Sequence, residues 1–110
     1  MKALLTTVET AEAASQLARA LVERRLAACV TVIPGAVSHF RWQGKIETAG
    51  ECLLLIKTED DRVEALLDEL PALHPYEVPE GIALPVDRAL GPYAEWVRDE
   101  TRPSSREAAR

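Results

Sequence analysis

An α+β architecture, with helices laid on one face of an antiparallel sheet, is predicted for this chain by three observations. Two stretches carry apolar residues at helical spacing. Each is bracketed by short runs rich in β-branched and apolar residues. A further run alternates apolar and polar side chains with period two. The order is strand, helix, strand, strand, helix, strand and a final short helix, which is the split βαβ or ferredoxin-like arrangement. With 110 residues, 47% hydrophobic and 28% charged, the chain has the length and composition of one globular domain with a modest core.

Residues 2–8 form the first strand. Thr10 is placed to cap the first helix, over 11–25, with Glu12 at its positive end and Ala14, Leu17, Ala18 and Leu21 on its inner face. Arg24 and Arg25 supply favourable positive charge where that helix closes. Residues 29–33 are strand-like, and Pro34-Gly35 signals a turn or a bulge within one bent strand. Beyond it Phe40, Trp42, Gly44 and Ile46 alternate with Arg41, Gln43, Lys45 and Glu47. The alternation passes Gly44 without losing phase, which places the hairpin turn at Thr48-Ala49-Gly50 and a strand buried on both faces at 52–57.

Val63, Leu66, Leu67 and Leu70 mark the second helix, with Thr58 or Asp60 as its cap and Pro71 ending or kinking it. Residues 81–86 are the last strand, and Pro79 and Pro85 mark it as an edge or bulged strand. Pro92 opens a third helix with Tyr93, Trp96 and Val97 on one face. After Thr101 the composition turns to Arg, Pro, Ser and Ala, so 1–101 reads as a single domain and 102–110 as a disordered tail. Helices on one face leave the other uncovered. Phe40, Trp42, Ile46, Tyr93 and Trp96 exceed what so small a monomer hides, which predicts a homo-oligomer.

The net charge of −5 argues against nucleic-acid binding. The N-terminal apolar run is too short for a signal peptide, and no stretch approaches the roughly 18 apolar residues of a membrane span. A cytoplasmic location follows, and the two cysteines, Cys29 and Cys52, suit a reducing compartment. There is no Gly-rich phosphate loop, GxSxG or HExxH, and an enzyme is not expected.

The clustered polar chemistry lies in His74-Pro75-Tyr76-Glu77-Val78-Pro79. Two prolines hold this segment extended between a helix and a strand. His74 is a candidate metal ligand, acid or base, or ligand contact. Its structural alternative is to close the second helix and hydrogen-bond nearby backbone. Glu77 is a candidate carboxylate partner or a solvated loop charge, and Tyr76 is more suited to packing. His39 reads as a surface histidine. Lys57 ends a strand before an acidic helix start, where it pairs with Glu59 or Asp60 or reaches an anion. Trp42 belongs to an interface or covers a small molecule.

Seven segments, in register and with matching gaps, resemble one family: Leu26-Ala27-Ala28-Cys29-Val30, Ile33-Pro34-Gly35, Trp42-Gln43-Gly44-Lys45, Ile56-Lys57-Thr58, 74–80, Ile82-Ala83-Leu84-Pro85 and Tyr93-x-x-Trp96. They are similar to the CutA divalent-cation-tolerance family. The resemblance runs from about residue 2 to 101. It implies a homotrimer laid out like the PII signalling proteins, a role in divalent-cation tolerance, binding of copper or another divalent cation, and no established reaction. Cys29 and His74 match family positions suited to soft or borderline metals, and a complete site needs help from Glu77 or another subunit. Thr6 and Leu73 stand where some members carry a further Cys and His, so the implied site is weak. The alternative is a signalling trimer with a metabolite or anion in inter-subunit clefts lined by Trp42, Lys57, His74, Tyr76 and Glu77.

Overall fold

The structure, a computed structural model, describes residues 1–103. The expected tail falls, over 104–110, outside the described residues. The elements are β1 (Lys2–Val8), α1 (Ala11–Glu23), β2 (Cys29–Trp42), β3 (Lys45–Thr58), α2 (Val63–Leu73), β4 (Ile82–Pro85) and α3 (Gly91–Glu100), with a 3-10 turn at Asp60–Arg62 before α2. The strands form one antiparallel sheet in the order β2-β3-β1-β4. This is the α+β, ferredoxin-like order that the periodicities predict, and β4 lies at an edge as its prolines require.

The core sits on one face of this sheet. Leu4, Thr6 and Val8 of β1 pair with Ile56, Leu54 and Cys52 of β3, and all six are buried. They meet Ala14, Leu17 and Leu21 of α1 and Val63, Leu66 and Leu70 of α2. The opposite, open face carries Leu5, Leu53 and Leu55, which are only half-buried. β3 is therefore sealed on one face rather than two.

Thr10 caps α1, its hydroxyl accepting from the Ala13 N–H at 3.0 Å. The helix stops two residues before the expected end. Arg25 adopts a left-handed φ of 57°, its N–H reaches the Val22 carbonyl, and the Leu26 N–H reaches the Leu21 carbonyl. That is a Schellman closure, with buried Leu26 locking it against buried Leu21. Arg24 and Arg25 thus end the helix by backbone geometry.

Neither expected cap of α2 serves. The Thr58 hydroxyl donates to the Leu26 carbonyl at 2.6 Å, and Asp60 holds the Met1 ammonium at 2.8 Å. The 3-10 turn leads into α2 instead, and Pro71 sits inside its last turn.

The hairpin departs furthest from expectation. β2 is one bent strand, with its bulge between Ile33 and Ala36 and Gly35 at φ 82°. The turn is Gln43-Gly44, with φ of 49° and 81°, and Thr48-Ala49-Gly50 lies within β3. Two positive φ values give a type I′ turn, whose twist matches the strands it joins. Trp42 then faces Lys45 and Phe40 faces Glu47, while Ile46 pairs with Arg41 on the other face. Phe40 and Trp42 do not share a side with Ile46. The two cysteines are free and do not face each other, as expected, since Cys29 pairs with Lys57 and Cys52 with Val8.

This turn is open to a direct check. A Cβ at Gly44 would meet nothing within 4 Å, so Gly44→Ala carries only the left-handed strain and lowers stability by about 1 kcal/mol. Gly50→Ala, also in open space but without a positive φ, is neutral or slightly stabilising. Urea unfolding at one protein concentration compares the two.

Candidate functional site

The segment from His74 to Glu80 joins α2 to β4. Pro75 pushes His74 into extended backbone, φ −91° and ψ 139°, which ends the helix, and the His74 N–H caps it on the Leu70 carbonyl at 2.9 Å. The imidazole then turns inward and is 6% exposed. Its Nε2 lies 2.9 Å from the Thr7 carbonyl and 3.1 Å from the Thr6 hydroxyl. Its Nδ1 accepts the Tyr76 N–H at 3.1 Å. A carbonyl only accepts and a backbone N–H only donates, so the hydrogen-bond pattern assigns a neutral ring with the proton on Nε2. Burial, the largest influence, lowers the His74 pKa, against the bond to Thr7 and the charge of Glu51.

The chain continues round the end of β1. Tyr76 packs edge-on against the His74 ring, centroids 4.8 Å apart, and its hydroxyl donates to Glu51 Oε2 at 2.7 Å. Burial and then Glu51 raise the phenol pKa far above its usual value. Glu51 is 8% exposed. Burial pushes its pKa up, but hydrogen bonds from the hydroxyls of Ser38, Tyr76 and Thr7 outweigh it, and the net shift is downward. Glu51 is thus an ionised, nearly buried carboxylate held by hydroxyl donors, with no cation on it.

Between this loop and the hairpin runs a groove of about 850 Å³. Phe40, Trp42, Glu47, Ala49 and Glu51 form its hairpin wall, and Pro75, Tyr76, Glu77, Val78 and Glu80 its loop wall. Four carboxylates line it and no Lys or Arg does. Of the expected cleft residues, Trp42, Tyr76 and Glu77 are here. His74 stands behind the loop. Lys57 is at the far end of the sheet, where its amine donates to Thr31 at 2.8 Å rather than pairing with Glu59 or Asp60.

The expected metal set is not brought together within one chain. Cys29 pairs with Lys57, whereas His74 bonds to Thr7, opposite Leu53. That is four residues along β3, about 13 Å, and two strand spacings across, about 10 Å. Cys29 instead lies beside Tyr93, whose phenol pKa is raised by burial and then by the thiol. Among the described residues no three His, Cys, Asp or Glu converge to hold an ion. His39, at the surface as expected, bonds to Thr48 at 3.0 Å. The sequence reading missed Glu51, Glu47 and Glu80. Placing the turn at Gln43-Gly44 would have found the first two, because parity then sets them beside Phe40 and Trp42.

The family model for the CutA1 divalent ion tolerance protein matches residues 2–100. This chain belongs to the CutA1 family. It is 48% identical to human Protein CutA over 92% of its length, spanning 56% of that relative. It is 46% identical to the divalent-cation tolerance protein CutA of Thermus thermophilus, covering 89% of this chain and 95% of that one. The crystal structure of CutA from Xylella fastidiosa superposes with a TM-score of 0.88 at 48% identity, covering 92% and 97% of the two chains. The family is named for tolerance of ions rather than for a reaction. No helix among the described residues is long and apolar enough to cross a membrane.

Two measurements test the site. The folded pKa of His74 is depressed, so its contribution to stability is complete above the unfolded value of 6.5 and is lost as pH falls from there toward the folded value. Thermal melts of the parent therefore decline from pH 7 to 5, and those of His74→Gln lose that component of the decline. The depressed pKa of Glu51 adds a second loss below 4.5. Tyr76→Phe, which leaves Glu51 one donor short, costs about 1–3 kcal/mol in urea unfolding at pH 7.

Proposed function

We propose that this chain is a divalent-cation tolerance protein, a homotrimer whose acidic grooves gather divalent cations weakly, copper among them. The observation that carries this reading is the charge of the groove, four carboxylates with no Lys or Arg. Such a lining attracts cations and repels anions. The same charge disfavours the alternative of a PII-like trimer sensing an anionic metabolite, since Lys57 lies outside the groove. The names of the relatives agree with the cation reading.

Glu77 is the one expected ligand that lines the groove. His74 has both ring nitrogens engaged, and we assign it the role of holding the loop. A copper ion shared by Cys29 and Glu77 draws them from different subunits. The trimer is supported by half-exposed apolar residues on the open face and by Phe40, Trp42, Ile82 and Leu84, all exposed. We read the chain as a binding protein and not an enzyme, because the imidazole and the phenol that would move protons are both tied up. We place it in the cytoplasm, in keeping with two unpaired cysteines.

Light scattering on a sizing column gives a mass three times the 12.1 kDa of one chain, and a mass of 12 kDa excludes the trimer. In copper titrations, Glu47→Gln with Glu77→Gln weakens binding roughly ten-fold. Equal affinity in that variant removes the groove from the reading.

A further inference from the structure

We propose that the loop from Pro75 to Glu80 is a proton-operated latch, closed by the neutral ring of His74 and opened when that ring takes up a proton, with the sheet left intact. The second wall of the groove moves with this loop. The latch rests on hydrogen-bond geometry and does not depend on what the groove binds.

The loop has few ties. Among the described residues no backbone–backbone hydrogen bond holds 75–80, and Pro75 and Pro79 have no N–H to give. Its polar anchors are the Tyr76 N–H on His74 Nδ1 at 3.1 Å and the Tyr76 hydroxyl on Glu51 at 2.7 Å. Both ends are fixed independently of these. The His74 N–H stays on the Leu70 carbonyl, and Gly81 packs so closely on α2 that a Cβ there would lie 3.2 Å from Leu70. His74 itself fills a gap in the sheet. β4 covers the edge of β1 only from Lys2 to Leu5, and the ring takes the Thr7 carbonyl beyond it. Opening therefore leaves that carbonyl to water and breaks no pair between β1 and β3.

A proton opens this latch by changing the count of donors. The neutral ring gives its Nε2 proton to the Thr7 carbonyl and accepts at Nδ1. An imidazolium has two donors and no acceptor. The Tyr76 N–H then meets another N–H, and no rotation of the ring restores the bond. Burial, the largest influence, holds the His74 pKa below its ordinary 6.5, against the bond to Thr7 and the charge of Glu51 on β3. β1 otherwise presents the Thr6 hydroxyl, and α2 meets His74 through the Leu70 carbonyl. On the loop the Tyr76 phenol is raised by burial and then by Glu51, and Glu9 and Cys52 bear on that phenol. The closed latch is complete above 6.5 and is lost as pH falls from there through the folded value.

Nuclear magnetic resonance of the assembled, nitrogen-labelled protein between pH 8 and pH 5 tests the latch, with His39→Gln removing the other histidine from the spectra. At pH 8 the His74 ring is expected to carry its proton on Nε2. As the ring titrates, the exchange protection of the Tyr76 amide, corrected for the intrinsic effect of pH, falls about ten-fold, while the amides of β1 and β3 keep theirs. In His74→Gln, which does not titrate, protection of Tyr76 is the same at both ends of the range. A ring proton on Nδ1 at pH 8, Tyr76 protection that holds while the ring titrates, or β1 and β3 opening together with the loop overturns the proposal. So does a ring that stays neutral until the whole chain unfolds.

Discussion

The neutral ring of His74 is the constraint on which the site depends. It is buried between the last turn of α2 and the end of β1, and each nitrogen has a backbone partner that no other group supplies. Its removal leaves the Thr7 carbonyl and the Tyr76 N–H unpaired in a poorly solvated place, at a cost of about 1–3 kcal/mol for each such group. The ring also fixes the direction in which the chain leaves α2. From there Tyr76 reaches round β1 to Glu51, and Glu77 to Glu80 become the second wall of the groove. A residue behind the groove therefore decides that the groove exists. Pro75 acts on the same step, because it forces His74 out of helical backbone and so points the ring inward.

Most of the scaffold was legible in local patterns. α1, α2 and the order of the strands follow from spacing, and Thr10 caps α1 as its side chain requires. The hairpin was not, for a geometric reason. A two-residue turn pairs Trp42 with Lys45, three positions on, and so inverts the parity of faces, yet the apolar alternation runs through Gln43-Gly44 without a break because Ile46 lies on the other face from Phe40 and Trp42. What changes is the face. Ile46 pairs with Arg41 and leaves the side of Phe40 and Trp42, while Glu47 and Glu51 join it. The groove was thus half legible: its loop wall stood out through His74, Tyr76 and Glu77, and its acidic hairpin wall was hidden. Thr58 and Asp60 failed as caps because each had a longer-range partner, Leu26 and Met1, which local sequence does not reveal.

The charge of the groove is held in place by hydrogen bonds rather than by a paired cation, and that arrangement points to its use. Exposed carboxylates such as Glu77 and Glu80 repel one another only mildly through water. Glu51 differs, being nearly buried and still ionised, with hydroxyls in place of a cation. Hydroxyl donors stabilise a carboxylate without cancelling its charge. The field therefore persists in the groove, where a cation from solution relieves it. Spread over two walls, that field selects for charge sign before it selects for coordination geometry, which accords with the weak metal binding proposed here.

The open face carries the same logic to the level of assembly. An antiparallel sheet that turns one face to water normally lines it with polar side chains. Here that face bears Leu5, Ile33, Leu53, Leu55, Ile82 and Leu84, with the acidic groove at one end and Cys29, Lys57 and Tyr93 at the other. Cyclic trimers join two different patches on each subunit, so one end of a face meets something other than its own equivalent. In the proposed ring that rule allows the thiol of one subunit to approach the carboxylates of the next. The separation of Cys29 from Glu77 within a chain then argues for assembly as a condition of soft-metal binding, and the apolar surface between them supplies the drive to assemble.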